Sequence, residues 1–85
     1  MWTYEDLKEY LEKNKENEPE IPFLLNGKKY MIIRFKDKVS FQRFGETLEE
    51  QSGEVFFKDL DTLYHTETID GVLLERDWKK IEKLN

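Results

Sequence analysis

The chain of 85 residues has no cysteine and no alanine, one histidine, two prolines and four glycines. Without cysteine it has no disulfide framework, no thiolate-bound zinc and no thiol nucleophile. No apolar run approaches the ~18 residues that a membrane-spanning helix requires. The opening residues Met1-Trp2-Thr3-Tyr4-Glu5-Asp6 lack the basic and apolar regions of a secretory leader. Four scattered glycines build neither a phosphate-cradling loop nor a dinucleotide fingerprint. These absences predict a soluble protein without membrane segment, metal or cofactor.

What is present is charge and aromatic bulk. Charged residues make up 39% of the chain and hydrophobic ones 38%, with 19 acids against 14 bases for a net charge of −5. Six Phe, four Tyr and two Trp are too many aromatics for a disordered, solvating chain. A chain this short is one domain and buries only about 60–65% of its unfolded surface. Each aromatic side chain buries roughly 150–250 Å², so aromatic richness is first of all a packing solution.

Thr3 reads as a helix cap, with Asp6 at capping-box spacing. Tyr4, Leu7 and Leu11 recur at i, i+3, i+7 beside Tyr10, and the pattern predicts an amphipathic helix over residues 3–15. Pro19 and Pro22 end any helix and favour extended backbone before them. Asn26-Gly27 then predicts a two-residue hairpin turn, which both needs and tolerates φ > 0. That turn sets Leu25 opposite Lys28, Leu24 opposite Lys29 and Phe23 opposite Tyr30. One hairpin face carries Ile21, Phe23, Leu25, Lys28, Tyr30, Ile32, Arg34 and Lys36. The other carries Leu24, Met31, Ile33 and Phe35, with Lys29 near the turn, and is expected to be the core face.

Ser40 as a cap, with Val39 and Phe44 at staple spacing and the stripe Phe41, Phe44, Leu48, predicts a second helix that stops near Gly53. Glu54 to Lys58 reads as a buried strand, and the intervening helix is long enough for a parallel crossover. Asp59 is a candidate cap for a short helical turn carrying Leu60, Leu63 and Tyr64. Asp70-Gly71 admits two readings, a hairpin turn or a helix start. The stripe Leu74, Trp78, Ile81, followed by Leu84, favours a C-terminal helix over 73–84. The expected fold is a single α+β domain over 1–85: N-terminal helix, β-hairpin, helix, third strand, C-terminal helix, in the order α-β-β-α-β-α.

The net charge hides opposed segments. Residues 1–20 sum to −4, residues 21–38 to +4, residues 39–71 to −6 and residues 72–85 to +1. Such asymmetry marks either a binding face or a domain whose own elements attract one another.

Catalytic chemistry finds little to use. His65 is the sole histidine and no Gly-x-Ser-x-Gly surrounds Ser40 or Ser52. Asp59 and Asp61 form a close acidic pair, but Asp59 doubles as a cap and 19 acids make close pairs inevitable. Asp59-Leu60-Asp61 lacks the further ligands and glycine of a calcium loop. An enzyme is therefore not expected.

Two binding surfaces remain. Phe23, Lys28, Tyr30, Ile32, Arg34 and Lys36 form a mixed basic and aromatic face, the candidate partner-binding site. If the first helix covers it, the domain is closed; if not, a protein partner or a second copy is needed. Bases interleaved with aromatics on a sheet also suit single-stranded nucleic acid, although a pI near 4.9 opposes it. Glu46, Glu49, Glu50 and Glu54 offer the converse, an acidic mimic of nucleic acid.

The segments Phe57-Lys58-Asp59-Leu60-Asp61-Thr62-Leu63 and Ile69-Asp70-Gly71-Val72-Leu73-Leu74-Glu75-Arg76-Asp77-Trp78-Lys79-Lys80-Ile81 resemble the ends of small uncharacterised proteins of Gram-positive bacteria and their phages. The resemblance implies a cytoplasmic bacterial or phage accessory protein and transfers no catalytic residue. The reading is a small non-enzymatic protein-binding module, with nucleic-acid engagement as the alternative.

Overall fold

A computed structural model describes residues 3–45, 47 and 53–84. The first element is helix α1, Tyr4–Lys13. Thr3 and Asp6 close its N-terminus as a full capping box: each backbone N–H donates to the other's side chain at 3.1 Å. A single 3₁₀ turn, Lys15–Asn17, carries the chain to strand β1.

Four strands follow, β1 Glu20–Leu25, β2 Lys28–Arg34, β3 Val39–Phe44 and β4 Glu54–Phe57. Asn26 and Gly27 both take positive φ, as the turn requires. The hairpin register is the expected one, with Leu25 opposite Lys28 and Phe23 opposite Tyr30. Past β4 come helices α2, Leu60–Tyr64, and α3, Leu74–Asp77, then a 3₁₀ turn at Trp78–Lys80 and a short strand β5, Glu82–Lys83. The sheet is antiparallel throughout, in the order β4-β3-β2-β1-β5. The architecture is thus α+β, but its element order is α-β-β-β-β-α-α-β rather than α-β-β-α-β-α.

Several expectations give way to this arrangement. The second helix is replaced over its first half by β3, and its remaining residues 46 and 48–52 lie outside the described residues. Phe41 and Phe44 fit a helical stripe, yet Val39 to Phe44 also alternates with period two. Pairing with β2 decides for the strand, because the turn closed by Phe35 N–H to Lys38 C=O at 2.9 Å sets Val39 opposite Arg34. The parallel crossover disappears with the helix, and β3 and β4 are antiparallel neighbours. Strand β4 is not buried: Val55 is 38% exposed and Phe56 49%. Asp70-Gly71 is neither a strand hairpin nor a helix start. It sits in a 3₁₀ turn, Ile69–Gly71, with Asp70 at φ 58°, closed by Thr68 N–H to Val72 C=O at 2.8 Å. The C-terminal helix stops after α3 because Ile81 turns extended and the chain pairs with β1. Pro22 directs its carbonyl, which accepts from Leu84 N–H at 3.1 Å, toward this side, so its missing N–H costs the β1–β2 ladder nothing.

The two sheet faces are also exchanged relative to expectation. The buried face is the mixed one, with Ile21, Phe23, Leu25, Tyr30, Ile32, Val39 and Phe41. Leu7 and Leu11 of α1, Leu60 and Leu63 of α2, and Leu74 of α3 close over it in one cluster. The three helices are joined at their rim by aromatic contacts: Tyr4 stacks on Tyr64 with centroids 3.7 Å apart, and Trp78 meets both rings edge-on. Leu24, Met31, Ile33 and Phe35, expected in the core, belong to neither that cluster nor its partly buried margin.

Candidate interaction surface

The first helix is the lid of the mixed face, held there by the burial of Leu7 and Leu11, and two ion pairs lie where its C-terminal end and the turn after it meet the hairpin. Glu12 accepts from Arg34 Nε at 3.3 Å and pairs with its Nη2 at 3.3 Å, while Glu16 lies 3.8 Å from Lys36. Two of the five bases of residues 21–38, Arg34 and Lys36, thus meet acids of the first segment within one chain. Arg34 is buried, and its guanidinium also donates to the carbonyls of Phe35 and Lys38. These bonds offset the cost of burying a charge.

A second latch holds the C-terminal segment to the same face. Asp70 accepts from the Tyr30 hydroxyl and from Arg43, each at 2.9 Å. Tyr30 and Arg43 are cross-strand partners, so one carboxylate from the 69–71 turn clamps β2 and β3 together. The Arg43 guanidinium, helped by Tyr30, holds the Asp70 carboxyl below its ordinary range. Burial, with the Asp70 hydrogen bond, pushes the Tyr30 hydroxyl up to about 12.

Of the six residues expected to meet a partner, Phe23, Tyr30, Ile32 and Arg34 are therefore interior. Lys28 and Lys36 are exposed, but they stand at opposite ends of the β2 segment and are not brought together.

The acid–base candidates have structural occupations. Asp59 caps α2, accepting from Thr62 N–H at 2.8 Å and from its hydroxyl at 2.7 Å, and these bonds lower its carboxyl. Asp61 accepts from the Tyr4 hydroxyl and from Lys8 Nζ, which lies 3.1 Å away; both lower it. Neither is raised toward the range of a general acid at neutral pH. His65 pairs with Glu75 at 3.2 Å, both side chains more than half exposed. Among the described residues no group of three metal-ligating side chains comes together. No helix there is long and apolar enough to cross a membrane.

The surface that remains is the opposite face of the sheet. The strand registers place Leu24, Met31, Ile33, Phe44 and Phe56 on it, with Pro22, Ser40, Gln42, Lys29 and Glu54. Phe35 extends it at the end of β2, where its ring lies 6.3 Å from that of Phe56. Lys38 Nζ sits 4.7 Å from the Phe56 ring centroid and 5.6 Å from that of Phe35. Leu24, Met31, Ile33, Phe35 and Phe44 are half-buried; Phe56 is exposed. Ser40 is fully buried beneath this face, between its cross-strand neighbours Ile33 and Phe56, and its hydroxyl finds no partner. Among the described residues, no helix packs on this side.

Sequence reasoning missed Phe44 and Phe56 because it placed the first in a helix and the second in a buried strand. The available signal was the shortness of Glu54-Val55-Phe56-Phe57, which suits an edge better than a core strand. Of the four acids of the mimicry reading, Glu54 lies on β4, in the strand expected to follow the helix, and Glu46, Glu49 and Glu50 fall outside the described residues. Comparison with family models, with curated proteins and with solved structures returns no match.

Proposed function

We propose that this chain is a small non-enzymatic protein-binding module and that its contact surface is the outer sheet face. The observation that carries this reading is the one-sided helical layer. Among the described residues, all the buried helical leucines close over one face, and Leu24, Met31, Ile33, Phe35, Phe44 and Phe56 lie together on the other. A contiguous apolar surface of this kind on a small domain marks an interaction site. The structural occupation of Asp59 and Asp61 supports a role without catalysis. The resemblance of the C-terminal segments supports an accessory protein of a bacterium or phage, in the cytoplasm.

The test is site-directed photo-crosslinking in the producing cells. A photoreactive residue at Met31 should form covalent adducts with protein, whereas one at Glu9 on the exposed side of α1 should not. Adducts at neither position, or at Glu9 alone, would overturn the reading.

Nucleic-acid engagement is the second reading, and one observation favours it. Phe35 and Phe56 with Lys38 between them form a cation-bearing aromatic platform on the outer face, the chemistry on which single-stranded bases stack. Glu20 and Glu54 on the same face, and the net charge of −5, oppose it. Binding of a single-stranded oligonucleotide at low salt, lost in Lys38→Glu, would support this second reading; no binding at low salt would remove it.

A further inference from the structure

We infer that β4 is a self-complementary edge that pairs with a second copy of this chain, joining two sheets into one. This rests on the protein-binding reading and names its partner. Strand β4 is the outermost strand, and among the described residues nothing pairs with its free side. It carries Val55 and Phe56, two of the three large apolar side chains that are most exposed among the described residues. An unpaired apolar edge is a template for another strand.

The backbone is in phase for this pairing. The Phe35–Lys38 bond starts the alternation across β2 and β3, and Arg34 N–H, which donates to the Pro19 carbonyl, confirms it. Carried through the registers, the alternation turns the N–H and C=O groups of Val39 and Phe41 toward β4, where they meet Phe57 and Val55. The corresponding groups of Glu54 and Phe56 are directed at the open edge.

The side chains choose the register. A two-fold axis perpendicular to the sheet keeps both outer faces on one side and must pass through a residue pair of like identity. Centred on Phe56, it sets Phe56 opposite Phe56, Val55 opposite Phe57, and Glu54 opposite Lys58 on each side. Both ends of the joint are then ion pairs. Centred on Val55 it would oppose Glu54 to Phe56, and centred on Phe57 it would oppose Phe56 to Lys58. Only the Phe56-centred register matches opposite charges and apolar with apolar. The product is a symmetric dimer whose two outer faces form one continuous surface.

Sedimentation equilibrium of the full chain, from micromolar to millimolar, tests this. The native chain should show a monomer–dimer equilibrium. Glu54→Lys and Lys58→Glu each set like charges opposite at both ends, and each should weaken self-association roughly tenfold or more. Mixed in equal amounts, the two variants should recover association as a heterodimer, because every facing pair is again of opposite sign. Phe56→Cys, the only cysteine in the chain, should form a disulfide-linked dimer readily: an antiparallel hydrogen-bonded pair holds its Cα atoms ~5.5 Å apart, within disulfide reach. A strict monomer at all concentrations overturns the inference, as does a dimer indifferent to both charge reversals. If the chain is monomeric but Met31 crosslinks to another protein, the dimer fails and the protein-binding reading stands. If the dimer forms by this edge and Met31 crosslinks to nothing, the outer-face reading fails and the dimer stands.

Discussion

Ile32 and Ile33 are neighbours of the same type in the same strand, and they face opposite ways. Ile32 is 0% exposed and sits in the cluster beneath the helices, whereas Ile33 is half-buried on the outer face. Replacing each with alanine removes the same atoms and changes strand propensity equally, so the difference isolates packing. Ile32→Ala should leave a cavity and cost roughly 2–5 kcal/mol. Ile33→Ala opens no cavity, because solvent reaches the site, and should cost ~1 kcal/mol. A domain of this length holds about 4–13 kcal/mol in total, so the first change approaches the unfolding limit and the second does not. Urea denaturation followed by far-ultraviolet circular dichroism, at dilutions where the chain is monomeric, reads both, provided the slope with denaturant is unchanged. Equal losses, or a larger loss at Ile33, would refute the assignment of the two faces.

Other consequences can be measured the same way. Asp70→Asn keeps a residue that tolerates the left-handed backbone but removes the charge that holds Tyr30 and Arg43; it should cost roughly 2 kcal/mol in denaturant titrations. The Tyr30 proton titrates near 10 when unfolded and at about 12 when folded. Its contribution is therefore complete below pH ~10 and is lost as pH rises toward 12. Denaturation between pH 8 and 12 should accordingly show an alkaline loss of stability that is smaller in Tyr30→Phe. Ser40→Ala removes a buried hydroxyl without a partner and should be neutral or stabilising by up to ~1 kcal/mol; a thermal melt showing clear destabilisation would reveal a bond to that hydroxyl.

Much of the chain's local structure was legible because local chemistry decides it. Thr3 and Asp6 form the capping box that their spacing announces, Asn26-Gly27 sets the hairpin register, and Asp59 caps the turn carrying Leu60 and Leu63. The opposed charges of the first two segments meet as Glu12–Arg34 and Glu16–Lys36. What escaped was decided over longer range. Both hairpin faces are apolar enough for a core. Tyr30 and Arg34 make the true core face look mixed, but Asp70 and Glu12 satisfy their polar ends only after the C-terminal turn and α1 have docked. Residues 39–44 carry helical and strand periods at once, and β2 selects the strand. The stripe Leu74, Trp78, Ile81 is broken because β1 offers Glu82 and Lys83 a strand to pair with. The candidate surface is legible only in part: alternation groups Leu24, Met31, Ile33 and Phe35 on one apolar face, but apolarity alone assigns that face to the interior.

Openness of the outer sheet face is read most directly by the accessibility of methyl groups to a soluble paramagnetic agent, measured by nuclear magnetic resonance on the dilute chain. Strong relaxation is expected at Leu24, Met31 and Ile33 and protection at Leu7, Leu11, Leu25 and Ile32. Protection of Leu24, Met31 and Ile33 equal to that of Ile32 would contradict it, because the outer face would then be covered within a single chain and unable to serve a partner.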